Sequence, residues 1–242
     1  MNSINFCSFA RSGHHAIIFW ILNNLCDGFT EQSNNLYYIN KDSGIYYYND
    51  ISAVERSSKY VYPQQYRHLF KSYEDIPIDS EYSFLYESEN TIFIVRDFLN
   101  LLCSRYTRCI GYRRVLGHRE EFKYFVDLIK AWKIHARLYL DTPKRCILYN
   151  KWLVDKQYRN TVSKNINIPN IKDNCDFVPS IGNGSSFIQG NKESSDQNYM
   201  HRYTQTDLPI TMTIPILQDH ELYELNRDIF GIDIRQILTS KR

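Results

Sequence analysis

Ile4-Asn5-Phe6-Cys7-Ser8-Phe9-Ala10-Arg11-Ser12-Gly13-His14-His15-Ala16-Ile17-Ile18-Phe19-Trp20-Ile21-Leu22 is the stretch whose reading decides the fold. Ile4 to Ala10 is short, apolar and rich in Ile and Phe, the composition of a strand buried on both faces. A polar turn, Arg11-Ser12-Gly13, follows at once, and a helix is predicted from near His14. Its interior, Ala16 to Leu22, is apolar all round, which places it beneath other layers rather than on the surface.

The same alternation continues downstream. Short strands are expected at Leu36 to Asn40 and Ile45 to Tyr48, within an Asn-, Ser- and Tyr-rich segment from Asp27 to Ser80 whose order the sequence leaves open. Thr91-Ile92-Phe93-Ile94-Val95 reads as a central parallel strand with Arg96-Asp97 at its carboxyl end, and Leu99 to Ile110 as the helix after it. Phe122, Phe125, Val126, Ile129 and Ala136 recur at helical spacing, predicting an amphipathic helix from about Arg119 to Leu140, ended by Pro143. Cys146 to Tyr149 is another buried strand, followed by helix from Lys151 to about Lys164, and a last helix is expected from about Asp219 to Phe230. Alternating strands and helices imply an α/β fold of three layers, a central parallel sheet flanked by helices, with ligands at the carboxyl ends of the strands. The 242 residues are read as a single domain, 1–242, in which 165–207, rich in Asn, Ser, Gly and Asp, forms a lid or loop.

Composition narrows the function. Lys plus Arg number 29 against 27 Asp plus Glu, a net charge of +2 that does not suit a nucleic-acid-coating protein, so an anion site has to be local. Ala16 to Cys26, the longest uncharged apolar stretch, is too short to span a bilayer. The first residues lack a cationic segment followed by an apolar one, so no secretory signal and a reducing, cytoplasmic setting are expected. Six cysteines without a C-x-x-C pair signal neither a zinc site nor a disulfide framework, and no residue set is assigned to a metal.

Chemistry concentrates in Ala10-Arg11-Ser12-Gly13-His14-His15. A turn between a buried strand and a buried helix offers backbone N–H groups and the positive end of the helix dipole to an anion. Gly13 allows close approach, Ser12, His14 and His15 supply hydrogen bonds, and Arg11 a fork of charge. A nucleoside triphosphate loop of the Walker type needs G-x-x-x-x-G-K-[ST], and this loop has one glycine and no lysine.

The run resembles the 5'-phosphosulfate loop of sulfotransferases that use 3'-phosphoadenosine 5'-phosphosulfate (PAPS), and two further segments extend the resemblance. That family carries an Arg at the end of a later strand and a Ser eight residues on, both on the 3'-phosphate; here Arg96 and Ser104 stand in that relation, about 85 residues beyond the first loop. An arginine leaving a strand and a serine two helical turns along can converge on one phosphate. Leu148-Tyr149-Asn150-Lys151-Trp152-Leu153 resembles the family's segment with a Tyr near the adenine, with Asn150 in place of the usual acid. The three matches span roughly residues 4 to 160.

The resemblance implies a P-loop-like sulfotransferase that moves a sulfuryl group from PAPS to a hydroxyl of a carbohydrate or small metabolite. Arg11, where the family has a lysine, would stabilise charge on the leaving group; a guanidinium does not readily give up its proton, so His14 or His15 is the candidate donor. Lys71-Ser72-Tyr73-Glu74-Asp75 resembles the segment that supplies the acceptor's base, but Tyr73 stands in place of the histidine, leaving Glu74 as the nearest base and His68 as the second. Catalytic roles thus fall to Arg11, Glu74 and His15, and cofactor contacts to Arg11, Ser12, Gly13, His14, His15, Arg96, Ser104 and Tyr149. In the late loop, Arg202 and Lys192 are the cations within reach of a cofactor, though solvated positions are expected for both. The competing readings are a nucleotide or sugar kinase of P-loop type and, favoured by Tyr73, a non-catalytic protein that binds adenosine phosphates or sulfated glycans.

Overall fold

The computed structural model describes residues 2–25, 30–31, 36–40, 45–48, 68–75, 82–109, 118–167 and 200–240. The chain forms two compact units, Met1–Val95 with Lys144–Gly182 and Arg96–Pro143 with Asn183–Arg242.

The first unit holds the whole sheet. Its strands are β1 (Asn2–Ser8), β2 (Thr30–Glu31), β3 (Leu36–Asn40), β4 (Ile45–Tyr48), β5 (His68–Glu74), β6 (Thr91–Val95) and β7 (Cys146–Leu148), in spatial order β2-β3-β4-β5-β1-β6-β7. The five from β4 to β7 in this order are all parallel, and helices flank them, as the α/β reading expects. The two outermost strands on one side differ: β2 pairs antiparallel with β3 and β3 antiparallel with β4, because four residues join each to the next strand and a parallel crossover needs a dozen or more. β1 is bordered by β5 on one side and β6 on the other, the kind of switch point at which open α/β sheets bind ligands.

Register assigns the faces. Ile4, Phe6, Phe70, Ile92, Ile94 and Ile147 share one face and form a core with α1 (His14–Leu25), whose residues from Ile17 to Leu22 are all buried. Phe6 stacks on Phe70 with ring centroids 6.2 Å apart, and Trp20 meets Trp152 edge-on at 5.8 Å. Cys7, Leu69, Phe93, Val95 and Leu148 point to the other face and are buried as well, as continuous apolar runs in parallel strands require. A one-turn helix α2 (Phe84–Glu87) precedes β6, and the Arg145 guanidinium ties its carboxyl end down through the carbonyls of Leu85, Tyr86 and Ser88, the last at 2.7 Å. Cys7 and Cys146 are free thiols in the core that burial pushes up to about 12.

The described elements of the second unit are helical: α3 (Phe98–Cys109) and α4 (His118–Asp141), and, beyond the two helices of the first unit described next, α7 (Ile210–Gln218), α8 (His220–Phe230) and α9 (Ile234–Ser240). Trp132 of α4 is fully buried, packs edge-on against Phe98 at 5.5 Å and donates its indole N–H to the carbonyl of Arg96 at 2.8 Å. Asn226 of α8 joins the ends of this bundle, its Oδ1 accepting from Phe98 N and its Nδ2 donating to Ile232 O, each at 2.8 Å.

Three boundaries depart from the sequence reading. β1 ends at Ser8, so Phe9 and Ala10 belong to the turn. Tyr149 opens a helix rather than closing a strand. The stretch from Lys151 to Lys164 is divided at Asp155 into α5 (Tyr149–Val154) and α6 (Lys156–Asn165), because the Asp155 carboxylate accepts from Tyr158 N at 3.0 Å and starts a new helix. The chain also continues past Phe230 into α9. Most of the expected lid, 168–199, lies outside the described residues, as does Lys192.

Candidate functional site

Two groups of polar residues, one in each unit, carry the chemistry. In the first unit the loop from Phe9 to Gly13 turns the chain from β1 into α1. Arg11 has φ 73° and Gly13 φ 87°, both left-handed. Glycine adopts that conformation at little cost, whereas a non-glycine residue held there costs about 1–3 kcal/mol and needs support. Support comes from Ser12 N donating to Phe9 O at 2.9 Å and from Ala10 N donating to the carboxylate of Asp75 at 3.2 Å. Asp75 in turn donates its own N–H to Ser8 O at 3.0 Å, fixing the loop to the end of β5.

Gly13 is pinned from the other side. The Tyr149 ring lies so close to it that a Cβ there would overlap ring atoms. Tyr149 is itself buried and stacked on Trp152 at 6.1 Å. The Ser12 hydroxyl is fully buried and has no hydrogen-bond partner among the described residues, and the Ser8 hydroxyl shares that condition. A buried hydroxyl left unsatisfied costs about 1–3 kcal/mol, and at the start of α1 the Ser12 hydroxyl can donate to an acceptor oxygen brought there.

Glu74, the last residue of β5, lies beneath the first turn of α1. Its Oε1 is 2.5 Å from His14 Nε2 and 3.9 Å from His15 Nε2. The two imidazoles lie against each other with centroids 3.9 Å apart, their planes tilted by 40°. His14 is buried, while His15 and Glu74 keep 22% and 19% of their side chains exposed, so the carboxylate is oriented by a histidine and still open to an incoming group. His68 belongs to β5, and its side chain lies outside the described residues.

The second unit gathers buried cations. Arg96, Arg105 and Arg202 are all at most 6% exposed, and Asp97 is the one buried acid among the described residues. Asp97 precedes α3 and caps it, accepting from Asn100 N at 2.9 Å and from Asn100 Nδ2 at 3.1 Å. Asn100 then grips the turn around Arg202: its Nδ2 donates to Met200 O and its Oδ1 accepts from Arg202 N, both at 2.7 Å. The Arg202 guanidinium donates to the Ser104 hydroxyl. Arg96, Arg105 and Arg202 are thus buried cations of the second unit, and a buried guanidinium is stabilised by charge-assisted hydrogen bonds such as the one Arg202 makes to Ser104.

Of the residues singled out in the sequence, Arg11, Ser12, Gly13, His14, His15, Glu74 and Tyr149 are thus gathered in the first unit, and Arg96 and Ser104 in the second. Arg202 differs from the expectation of a solvated cation: it is only 3% exposed, and Asn100 and Ser104 hold both its backbone and its side chain. Asn100 and Asp97 went unrecognised as the parts that fix Arg202. The available signal is the Asp97-x-x-Asn100 spacing at a helix start, which the sequence analysis does not use.

No protein-family model matches this sequence, and no curated protein is found similar to it. Among solved structures, the chain is similar to mouse sulfotransferase SULT7A1 complexed with PAP, at 15% identity and a TM-score of 0.45 over 100% of this chain and 89% of that one. It is also similar to a sulfotransferase from Alicyclobacillus acidocaldarius, at 13% identity and a TM-score of 0.39 over 98% of this chain and 99% of that one. Likenesses at this level assign no activity. No helix among the described residues is long and apolar enough to cross a membrane.

Proposed function

We propose that the chain is a sulfotransferase that moves a sulfuryl group from PAPS to a hydroxyl of a small-molecule or carbohydrate acceptor. The observation that carries this reading is that the buried Arg202 guanidinium meets the Ser104 hydroxyl, eight residues after the buried Arg96 at the end of β6, a set of donors suited to a terminal phosphate. By the sequence resemblance the 5'-phosphosulfate falls to the loop of Arg11, Ser12, Gly13, His14 and His15, whose shape Tyr149 holds, and the 3'-phosphate to Arg96 and Ser104, to which we add Arg202.

In the step itself the acceptor oxygen forms a bond to sulfur while the bond from sulfur to the 5'-phosphate oxygen breaks, leaving adenosine 3',5'-bisphosphate. Charge grows on the departing phosphate, and Arg11 stabilises it by a fixed guanidinium rather than by giving up a proton. The acceptor's proton passes to the Glu74 carboxylate, which His14 orients from 2.5 Å; His15 supplies a second donor on the leaving-group side. The missing P-loop lysine weighs against a kinase that uses ATP.

The test is turnover: the chain is incubated with PAPS labelled at sulfur and a panel of phenolic, alcoholic and sugar hydroxyls. Label transferred to any acceptor, with release of adenosine 3',5'-bisphosphate, supports the reading. Binding of that nucleotide with no transfer across the panel favours the non-catalytic binder, and no binding overturns both.

A further inference from the structure

Among the described residues, one set of side chains has the composition and spacing of a metal site: His14, His15 and Glu74, whose ligand atoms all lie within 4.8 Å of one another. The sequence assigns no metal on its cysteine pattern; Glu74 is far along the chain from the histidines and reaches them through the pairing of β5 with β1, where Ser8 stands opposite Glu74. We propose that this triad binds one divalent transition-metal cation, with Zn²⁺ as its natural type, through the Nε2 atoms of both histidines and a carboxylate oxygen of Glu74.

Ligands about 2.0–2.1 Å from a tetrahedral zinc are about 3.3 Å apart. The two separations from Glu74, 2.5 Å to His14 and 3.9 Å to His15, bracket that value, all three ligand atoms lie within 4.8 Å of one another, and the buried His14 Nε2 has no hydrogen-bond partner among the described residues. Both imidazoles already turn the same nitrogen toward the same carboxylate oxygen. Two imidazoles and a carboxylate suit zinc and its neighbours in the first transition row, whereas Mg²⁺ and Ca²⁺ prefer oxygen ligands. The shell is not closed: His15 and Glu74 remain partly exposed, so ions have a way in and a fourth position is left to water.

Binding has a consequence for the proposed transfer, although it does not depend on it. A cation on Glu74 occupies the oxygen that would accept the acceptor's proton, so Zn²⁺ acts as an inhibitor of turnover and the metal-free chain is the active form.

Zinc binding is measured without nucleotide, by competition with a chromophoric chelator on the full chain, and Co²⁺ is used as a spectroscopic substitute. One Zn²⁺ per chain at micromolar concentration or below is expected, with visible Co²⁺ bands typical of four-coordinate nitrogen and oxygen ligation and no competition from Mg²⁺. His15→Asn, at a partly exposed position that should not impair folding, and Glu74→Gln should each weaken zinc affinity at least tenfold. Absence of stoichiometric binding, or binding that both variants leave unchanged, overturns the site. Sulfur-to-cobalt charge-transfer bands would do the same by showing that cysteines hold the metal. Failure of the chain to bind any adenosine phosphate while still binding zinc would sink the transferase reading and leave this one standing.

Discussion

The ring of Tyr149 lies against Gly13, so that the first residue of α5 fills the space in which any other side chain at that loop position would project. The contact joins β7 and α5 to the loop after β1, and with φ at 87° it makes Gly13 irreplaceable twice over. Gly13→Ala should lower stability by about 2–4 kcal/mol, from backbone strain and overpacking together. Gly13→Ala combined with Tyr149→Ala should relieve the overlap but not the strain. Chemical denaturation of the two variants checks this; a Gly13→Ala protein as stable as the parent would contradict the packing described.

Asn226 supports the second unit from a distance. Its side chain is fully buried and satisfies both Phe98 N and Ile232 O. Asn226→Ala should cost about 2–3 kcal/mol, because it strands a buried donor and a buried acceptor. Asn226→Asp keeps the acceptor for Phe98 and loses the donor to Ile232, so denaturant midpoints should rank parent, Asp variant, Ala variant if the two bonds matter as described.

How much of this was legible in the sequence follows from the range of the interactions involved. The loop from Arg11 to His15 and the relation of Arg96 to Ser104 are local: a strand, a turn and a helix fix them within a dozen residues. Leu36–Asn40 and Ile45–Tyr48 were likewise readable from their runs of aromatic and β-branched residues. His68–Glu74 escaped notice as a strand, since its polar residues Lys71, Ser72 and Glu74 mask a central position that only pairing with β1 and β4 reveals. Arg202 was misjudged for the same reason. Its burial depends on Asn100 and Ser104, about a hundred residues earlier, and nothing in the local composition of Tyr199 to Tyr203 announces them.

His135 gives the second unit a pH dependence. Burial lowers its imidazole from 6.5 to about 3, so the folded chain keeps it neutral while the unfolded chain takes up a proton below about pH 6.5. Stability is therefore complete above that pH and is lost as pH falls toward 3, by about 2 kcal/mol between pH 7 and 5. His135→Gln should flatten this part of the profile. Denaturation midpoints for both proteins between pH 7 and 5 decide it, and parallel slopes would rule His135 out as the source.

Glu74→Gln removes the proposed base while keeping a side chain of the same shape beside His14. Turnover should fall by about 10²–10⁴-fold, with affinity for adenosine 3',5'-bisphosphate nearly intact. Steady-state rates set beside calorimetric affinities separate the two effects; unchanged turnover would remove Glu74 from the mechanism.

The central claim is that Arg96, Ser104 and Arg202 recognise a 3'-phosphate, and calorimetry on the full chain with adenosine 3',5'-bisphosphate, adenosine 5'-phosphate and ATP tests it most directly. The 3',5'-bisphosphate should bind at least tenfold more tightly than either of the others. Arg96→Ala and Arg202→Ala should each erase about 10–100-fold of that preference, the worth of a charge-assisted hydrogen bond, while leaving affinity for adenosine 5'-phosphate almost unchanged. Equal affinity for the three nucleotides, or losses as large for the 5'-phosphate as for the bisphosphate, would contradict the account.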